Sequence, residues 1–517
     1  MNRDYNKPGM AEQAERVDTA LVYPHGIRAM NRQVKVGFAL VAIAAIPRLV
    51  GAFFLPNTFG DAYVYTRDIG NLSTKIKGGT FAITDLYGFW LPLYQLISSV
   101  VNIFVGNGFY VGKVVSALFG VGVCLLVYAI TLRLVAHKLA ALLAFLLIAL
   151  NPLHILNSTS AMTDVPHAFF VLGCLYFVLR TNWIVAALFA ALAGLTRVES
   201  WMLIALIPAI QFLKERRVSI SPVLIMSIPP LFWFWVSWKA AGDWLACFKM
   251  RQQYHDWLLA QNPALAHFSL AGVVKDVTMF VSGVDLAVLC GAFVAAWLLV
   301  QRHPNHQRHD DSVISSSILP SLVFFFAFFI LLLFAYVTHQ QPIIFPRYSL
   351  ILFSLGIPIL AWTYFAFVRR RPESARNLFV TIVLLCVLNA SAQLTGAIGE
   401  LNRYSAQRRV ADYLRAHFDA NSNGKIFCDE GTVRALSGIA PEAFLTSADA
   451  PKERGAFIDY LQENHVEYVI AIQDEHSLTD RLFPESEYGD SIGNYELVSA
   501  AYTEFLLTNI HVYQRRQ

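Results

Sequence analysis

Two aspartates lie just beyond apolar stretches of the sequence, where a carboxylate is costly unless it has a partner or a task. Asp61 follows the first apolar run, in Phe-Gly-Asp-Ala-Tyr, and Asp164 lies between the third and fourth runs, before Val-Pro. Both are candidates for a general base or for binding hydroxyl groups. A turn or helix-cap role explains either of them equally well, and the Val-Pro after Asp164 favours a helix start.

Two arginines occur beside acidic or aromatic residues at the ends of later apolar runs. Arg197 and Glu199 lie where the fifth run turns into the sixth, and Arg347 and Tyr348 precede the tenth, soon after His339. A guanidinium in such a place offers paired donors to phosphate oxygens. The alternatives are an ion pair that closes a tight helical hairpin, for Arg197 with Glu199, and snorkelling toward the membrane interface, for Arg347.

The composition assigns these residues to a membrane protein. The 517 residues are 56% hydrophobic and only 15% charged, and the mean hydropathy is +0.49. Such a chain excludes a soluble enzyme. A net charge of +4 without a block of like charges excludes a nucleic-acid-binding face. Six cysteines without paired spacing indicate small core residues and not metal ligands or disulfides.

The apolar residues fall in runs of about 20, the length that crosses about 30 Å of hydrocarbon. The sequence therefore predicts a polytopic α-helical membrane protein, with a flexible cytoplasmic tail at 1–33 and a transmembrane domain at 34–398. About eleven transmembrane helices are predicted, at Val34–Leu55, Val114–Val135, Leu139–Ile155, Val165–Leu179, Trp183–Leu195, Trp201–Leu213, Ser219–Trp238, Phe280–Val300, Ile318–Val337, Tyr348–Val368 and Leu378–Leu394.

The charges in the short loops predict the orientation. Lys and Arg are retained on the cytoplasmic side, and every second loop is rich in them if the N-terminus is cytoplasmic. This alternation requires that Trp90–Gly106 does not cross the membrane. The prediction is a multi-pass plasma (inner) membrane protein with outer loops at 56–113 and 239–279 and an extracytoplasmic C-terminus.

The C-terminal segment, 399–517, has a different pattern. Strand-like runs at Lys425–Cys428, Glu467–Ile472, Tyr495–Val498 and Ile510–Tyr513 alternate with helical ones such as Glu453–Asn464. This predicts a small α/β extracytoplasmic domain. It has no glycine-rich phosphate loop, nucleophile elbow or metal-ligand spacing, so we expect it to pack against or cap the membrane part, with acceptor recognition as the alternative.

The order of these features resembles that of the GT-C glycosyltransferases. The stretch Gly60–Tyr63 looks like the acidic position of their first outer loop. Trp90–Leu96, Asn151–His154 and Asp164–Pro166 follow in an order similar to the protein O-mannosyltransferase and lipid A aminoarabinose transferase branches. The resemblance covers about 34–213 and implies an enzyme that uses a sugar carried on a polyprenyl phosphate.

The resemblance also implies roles for the charged residues. Asp61 would be the general base that takes the acceptor's proton, in a single displacement that inverts the anomeric carbon. Arg197 and Arg347 would bind the departing phosphate, with Lys75 and His339 behind them, while Asp164 and Glu199 would orient hydroxyl groups or hold the arginines. The substrate-binding residues so implied are Asp164, Arg197, Glu199, Lys75, His339, Arg347 and Tyr348.

Departures from the family pattern narrow the function. Thr163-Asp164 is the only acidic motif in the second outer loop and Trp-Trp-Asp is missing from the sequence, which argues against an oligosaccharyltransferase. No metal site and no cofactor are predicted, and a divalent metal is not required. The expected partners are a polyprenyl-phosphate sugar, a lipid, glycan or protein acceptor and the bilayer, without nucleic acid.

Two other functions stay open at this stage. A transporter or lipid flippase would show ionisable residues near the membrane midplane or broken helices in corresponding halves, whereas these charges gather at span ends. A surface-glycan polymerase or ligase would place its chemistry in a late outer loop, and the segment with His339 and Arg347 fits that description.

Overall fold

The fold is known from a computed structural model of the chain. It describes residues 27–261, 267, 269–301, 309–340, 346–419, 423–447, 450–472, 477–484, 491–503 and 508–516. Residues 1–26 of the tail predicted at 1–33 therefore lie outside the described residues.

The membrane part consists of helices joined by short turns. They are α1 (Ile27–Phe54), α2 (Gly60–Lys77), α3 (Leu93–Val105), α4 (Gly108–Val135), α5 (Lys138–Ala149), α6 (Pro152–Ser158), α7 (Asp164–Leu179), α8 (Trp183–Gly194), α9 (Leu203–Glu215), α10 (Ile220–Ala241), α11 (Ala246–Gln261), α12 (Leu270–Val284), α13 (Leu286–Val300), α14 (His309–Val337), α15 (Leu350–Arg370) and α16 (Ala375–Asn402).

Each of the eleven predicted spans coincides with one of these helices or with a bent pair of them. Within the described residues, six helices are long and apolar enough to cross a membrane, and eight spans result if each bent pair is counted as one. The remaining three, α7, α8 and α9, have 16, 12 and 13 residues. The polytopic helical fold class is thus confirmed.

The segment Trp90–Gly106 forms one short amphipathic helix, α3. It has 13 residues, about 20 Å at 1.5 Å per residue, which is less than the hydrocarbon thickness. Its polar residues Ser98, Ser99 and Asn102 are buried, whereas Phe104 on another face is exposed. The burial pattern is typical of a helix that lies along the membrane surface.

Two bends interrupt the membrane part, and one glutamine joins them. The α5–α6 pair bends by 61° and the α12–α13 pair by 82°. Asn151 and Asp285 cap the helices that resume after the bends, and Asp285 adopts a left-handed φ of 74°. Gln393 of α16 accepts a hydrogen bond from the Asn151 side chain (2.7 Å) and donates one to the Ser282 carbonyl (2.6 Å).

The C-terminal domain contains one six-stranded sheet, in the order β2-β1-β3-β6-β5-β4. The strands are β1 (Lys425–Cys428), β2 (Phe444–Leu445), β3 (Val466–Ile472), β4 (Ser491–Ile492), β5 (Tyr495–Thr503) and β6 (Thr508–Arg515). Strand β1 pairs in parallel with β2 and β3, while the β3–β6, β6–β5 and β5–β4 pairs are antiparallel.

Helices cover both faces of this sheet. They are α17 (Ser405–His417), α18 (Gly431–Ser437), α19 (Arg454–Glu463) and α20 (Leu478–Leu482). One apolar core lies under α17 and α18, and a second under α19 and α20. The predicted α/β domain is therefore confirmed, and each predicted strand overlaps an observed one.

The C-terminal domain contacts α2, the helix that begins at Gly60. The Tyr404 ring lies edge-on to the Tyr63 ring at 5.6 Å, and a Cβ added at Gly60 would lie 3.0 Å from the Tyr404 hydroxyl. Glycine at position 60 thus permits this close approach. The residue next to Gly60 is Asp61, so the contact lies beside the first candidate catalytic group.

Candidate active site

Asp61 lies in the first turn of α2, immediately after the short link from α1. The N-cap of this helix is Phe59, and no side chain caps it, so the carboxylate of Asp61 does not serve as a cap. A carboxylate in the first turn is nonetheless favoured by the helix dipole. The link is held by Asn57, whose carbonyl accepts a hydrogen bond from the Tyr63 hydroxyl (3.0 Å) and whose Oδ1 accepts one from the Ala161 amide (3.0 Å).

Arg347 binds the Asp61 carboxylate. Its Nη2 donates to Asp61 Oδ2 at 2.9 Å and to the Tyr348 hydroxyl at 3.3 Å. The guanidinium lies 4.9 Å from the centre of the Phe59 ring and 5.1 Å from that of Tyr348. The Arg347 side chain is 10% exposed and that of Asp61 is 40% exposed. A mostly buried cation therefore holds a carboxylate that stays open to a ligand.

Arg197 forms the second charged cluster, with two acids. Its Nη1 donates to Asp164 Oδ1 at 2.9 Å, and its Nε and Nη2 donate to Glu199 Oε1 at 3.1 and 2.7 Å. The N-cap of α7 is Thr163, so Asp164 is the first helical residue and its carboxylate reaches Arg197. Asp164 Oδ2 is buried and has no hydrogen-bond partner among the described residues.

The charges of the second cluster stabilise one another. Burial by itself would lower the pKa of Arg197, but Glu199 and Asp164 outweigh it and raise that pKa. Burial would likewise raise the pKa of Glu199, but the charge and hydrogen bond of Arg197 lower it to about 2. Arg197 and Glu199 are therefore both ionised at neutral pH.

Tyr348 and Tyr65 connect the two clusters. The Arg197 guanidinium lies 6.0 Å from the Tyr348 ring, which also faces Arg347. Tyr65 is buried, and its hydroxyl is 3.4 Å from Thr163 Oγ1. Burial is the main cause that raises the pKa of the Tyr65 phenol, and the charges of Asp61 and Asp164 add to it. The Tyr348 ring thus lies against both guanidinium groups, and the two clusters form a single site.

Helix α11 contributes a third arginine that the sequence patterns did not assign to the site. Arg251 donates through Nε (3.3 Å) and Nη2 (3.0 Å) to the Phe89 carbonyl, and its guanidinium lies 5.6 Å from the Phe89 ring. Burial lowers the pKa of Arg251, while Glu199 raises it. The only sequence signal for Arg251 is the aromatic and charged composition of α11. That composition predicts a helix at the membrane interface and does not assign Arg251 to a site.

Lys75 and His339, two predicted site residues, make contacts outside the two charged clusters. Lys75 is near the far end of α2 and binds Asp85 Oδ1 at 2.7 Å, with half of its side chain exposed. The 14 residues between Lys75 and Asp61 amount to about 21 Å of helix. His339, with a left-handed φ of 56°, accepts a hydrogen bond from His255 of α11 through its carbonyl oxygen. The His339 main chain is thus joined by a hydrogen bond to α11, the helix that carries Arg251.

No group of three or more His, Cys, Asp or Glu side chains that could hold a metal occurs in the described ranges. The two aspartates of the site already bind guanidinium groups, which supply the positive charge that a metal ion would bring. For the sugar transfer that the resemblance to GT-C enzymes implies, we expect EDTA to leave the rate within about twofold of the untreated rate, because arginine and phosphate form strong charge-assisted bonds without a metal ion. The measurement is the initial rate before and after chelation, and restoration of a lost rate by Mg²⁺ or Mn²⁺ would contradict the prediction.

The comparisons with known proteins agree with this architecture. The family model of dolichyl-phosphate-mannose-protein mannosyltransferase matches residues 92–186, a segment that includes Asp164. No curated protein sequence matches the chain.

Solved structures match over most of the chain. The crystal structure of ArnT from Cupriavidus metallidurans bound to undecaprenyl phosphate is 12% identical, with a TM-score of 0.57. The match covers 93% of this chain and 98% of the ArnT chain. Its apo structure is 11% identical with a TM-score of 0.52 and the same coverage. The archaeal oligosaccharyltransferase AglB from Archaeoglobus fulgidus is 11% identical, with a TM-score of 0.48 over 86% of this chain and 70% of that one. The family match and the fold shared with ArnT confirm the predicted resemblance.

Proposed function

We propose that this chain is a membrane glycosyltransferase of the GT-C superfamily, and that it transfers a sugar from a polyprenyl phosphate to an acceptor hydroxyl, with Asp61 as the general base. The donor class is that of the relatives: the matching family model is named for dolichyl-phosphate-mannose, and the ArnT structure contains undecaprenyl phosphate.

One observation carries the assignment of the base. Asp61 has the most exposed carboxylate of the site, at 40%, whereas the Asp164 side chain is 5% exposed and the Glu199 side chain 27%. Asp61 accepts one hydrogen bond at Oδ2 from Arg347, which leaves Oδ1 to take a proton. A general base must lie within hydrogen-bond reach of the hydroxyl that it deprotonates, and Asp61 is the acid most open to an incoming hydroxyl.

The reaction needs only one such group. The acceptor oxygen forms a bond to the anomeric carbon while the bond from that carbon to the phosphate oxygen breaks. The hydroxyl proton passes to Asp61, and the polyprenyl phosphate leaves with the electron pair, so the anomeric configuration inverts. Because a phosphate monoester is a good leaving group, it needs positive charge rather than a proton.

The arginines of the site supply that charge in this proposal. Arg347 and Arg197 each present a planar set of N–H donors that suits phosphate oxygens, and both lie against the Tyr348 ring. Arg251, whose guanidinium interacts electrostatically with Glu199, is the third cation near them. Asp164 Oδ2 is buried and has no hydrogen-bond partner in the described part of the chain. It would accept a hydrogen bond from a hydroxyl of the donor sugar.

The reaction would take place on the extracytoplasmic side. The Lys and Arg residues of alternate loops favour a cytoplasmic N-terminus, which puts the end of α1, and with it Asp61, on the other side. Labelling of a single cysteine at position 61 by a membrane-impermeant maleimide in intact cells tests this orientation.

The stereochemistry of the product tests the proposed mechanism. The protein in lipid nanodiscs is incubated with a panel of polyprenyl-phosphate sugars of known anomeric configuration, and the product linkage is determined by NMR. We expect transfer from at least one donor with inversion, and no transfer from the corresponding nucleotide sugars. Retention of configuration would contradict the single displacement, and translocation of lipid without any covalent product would favour a flippase.

A further inference from the structure

Helix α16 carries two amide side chains in a stretch that is otherwise apolar and exposed. Its leucines at 384, 388 and 394 are each more than half exposed, whereas Gln393 is only 5% exposed. Asn389 lies one helical turn before Gln393, on the same face of α16. A polar side chain within a membrane helix is costly unless it finds partners, so these two amides indicate a task on the inner face of α16.

Both amides donate to one main-chain oxygen at the end of α12. Gln393 Nε2 lies 2.6 Å from the Ser282 carbonyl oxygen, and Asn389 Nδ2 lies 3.2 Å from it. Helix α12 ends at Val284, so the Ser282 carbonyl is among the last four that a helix leaves without an internal partner. Away from water such a carbonyl needs another donor. The two amides therefore hold the main chain at the point where it turns by 82° into α13.

Asn151 fixes the orientation of the Gln393 amide. The Oδ1 atom of Asn151 accepts a hydrogen bond from the His154 amide at 2.8 Å, as the N-cap of α6, so its Nδ2 is left to donate to Gln393 Oε1 at 2.7 Å. Because Oε1 of Gln393 accepts this bond, its Nε2 faces the Ser282 carbonyl. Gln393 thus connects the start of α6 with the end of α12 in one defined orientation.

The end of α12 packs tightly against the 346–349 turn, which carries Arg347. Gly283 follows Ser282 directly, and a Cβ added at Gly283 would lie 2.5 Å from the Pro346 carbonyl oxygen and 2.8 Å from Ser349 Cβ. Both Gly283 and Ser349 are buried. Because close-packed groups have no free space between them, a shift of the Ser282 main chain would also move this turn.

We infer that Gln393 is a positioning residue for Arg347. By holding the Ser282 carbonyl, Gln393 sets the place of the 346–349 turn and so the place of the Arg347 guanidinium against Asp61. The hydrogen bonds of the Gln393 side chain go to Asn151 and Ser282, so it acts on the site through α12 and the turn. This role rests on the proposed function, in which Arg347 orients the base and binds the phosphate. A misplacement of about 1 Å in such a site can cost about 100-fold in rate.

The first test replaces Gln393 by methionine, which has a similar length but cannot form these hydrogen bonds. We expect Gln393→Met to lower the kcat of sugar transfer in nanodiscs at least about tenfold. The matched control is Gln211→Met. Gln211 is 1% exposed, and it donates to Ser219 Oγ and accepts from the Ser219 amide, each at 3.0 Å, at the end of α9 away from Arg197. The control should change kcat less than about twofold, and equal losses in the two variants would overturn this role of Gln393.

Two further measurements distinguish positioning from a general loss of stability. In a chain that already carries Arg347→Gln, adding Gln393→Met should lower kcat less than about twofold further, because its effect passes through Arg347. Multiplying losses would contradict this. Gly283→Ala removes no hydrogen bond but pushes on Pro346, so it should also lower kcat at least about tenfold. Gly396→Ala, where a Cβ meets no atom within 4 Å, is its control, and a normal kcat in the Gly283→Ala chain would contradict the connection to the turn.

Hydrogen–deuterium exchange tests the same role without turnover. We expect the amides of the 346–349 turn to exchange about three- to tenfold faster in the Gln393→Met chain, the change that loss of a buried hydrogen bond brings, and at the normal rate in the Gln211→Met chain. Faster exchange in a chain that transfers no sugar supports the hold of Gln393 on the turn and contradicts the proposed function. Unchanged exchange of the turn overturns the role of Gln393, whether or not sugar is transferred.

Discussion

Replacing Asp61 by asparagine is expected to lower the rate of sugar transfer by about 10²–10⁴-fold. Asparagine has nearly the same shape, but its amide cannot take the proton of the acceptor hydroxyl. In the unchanged chain Arg347 donates a hydrogen bond to Asp61 Oδ2 at 2.9 Å. The amide oxygen of asparagine can accept the same hydrogen bond. The measurement is the initial rate at saturating donor in nanodiscs, together with donor binding, which we expect to change little.

Asp412→Asn is the matched control for this substitution. Asp412 also accepts from an arginine, Arg415, at 3.0 Å, but the pair lies on the surface of the C-terminal domain, with both side chains more than half exposed. Such pairs contribute little, so transfer should stay at the level of the unchanged chain. An Asp61→Asn protein that is folded, binds donor and transfers sugar at the normal rate would remove Asp61 as the base.

Replacing Arg347 by glutamine is expected to lower transfer by about 10²–10³-fold, the range for loss of one preorganised donor to developing negative charge. Arg347 is 10% exposed, binds Asp61 and lies between the rings of Phe59 and Tyr348. In the proposed reaction it both orients the base and receives the phosphate. The measurement is kcat and the KM for the donor, each determined separately.

Arg347→Lys and Arg415→Gln serve as comparisons. Lysine keeps the charge but not the planar set of donors, so we expect it to recover only part of the rate. Arg415 donates to Asp412 and to the Leu436 and Ser437 carbonyls, away from the charged clusters, so its loss should change the rate less than about twofold. Because Asp61 and Arg347 act as a unit, the double substitution should cost much less than the product of the two single effects. Independent, multiplying effects would contradict the coupling.

The helices and strands could be predicted because their signals are local. Every predicted span coincides with a helix, since an uninterrupted apolar run leaves the backbone few other options in lipid. The strand Lys425–Cys428 was predicted at its observed bounds, because buried strands are short apolar runs between turns. Positive charge in alternate loops also predicts that Trp90–Gly106 does not cross the membrane, and the polar residues of its helix α3 are buried against the protein.

The pairing of the charged groups could not be predicted, because it depends on contacts between distant parts of the chain. Asp61 and Arg347 are separated by 286 residues, and no local pattern connects them. The α12–α13 bend lies beside the turn that carries Arg347, because a Cβ added at Gly283 would lie 2.5 Å from the Pro346 carbonyl oxygen. Lys75 shares a helix with Asp61 but lies near its opposite end, bound to Asp85, and its role behind the arginines stays a prediction.

Arg251 and Tyr65 were missed because their signals are ambiguous. An arginine in an aromatic, charged helix is typical of a membrane-surface helix, and a tyrosine on an amphipathic helix is usually a packing residue. Only the fold brings Arg251 to the Phe89 carbonyl and Tyr65 to Thr163. The sequence order that resembles the GT-C enzymes therefore predicted the class of site and its acids, but not the full set of groups around them.

The three short helices have a consequence for the surrounding bilayer. With 16, 12 and 13 residues, α7, α8 and α9 extend only about 24, 18 and 20 Å, against about 30 Å of hydrocarbon. This hydrophobic mismatch is relieved when the lipid around them thins or the headgroups dip inward. Since Asp164 begins α7 and Arg197 follows α8, thinning of the bilayer around these helices would bring the membrane surface closer to the charged site. A polyprenyl carrier could then dock its phosphate there while its isoprenoid chain stays immersed.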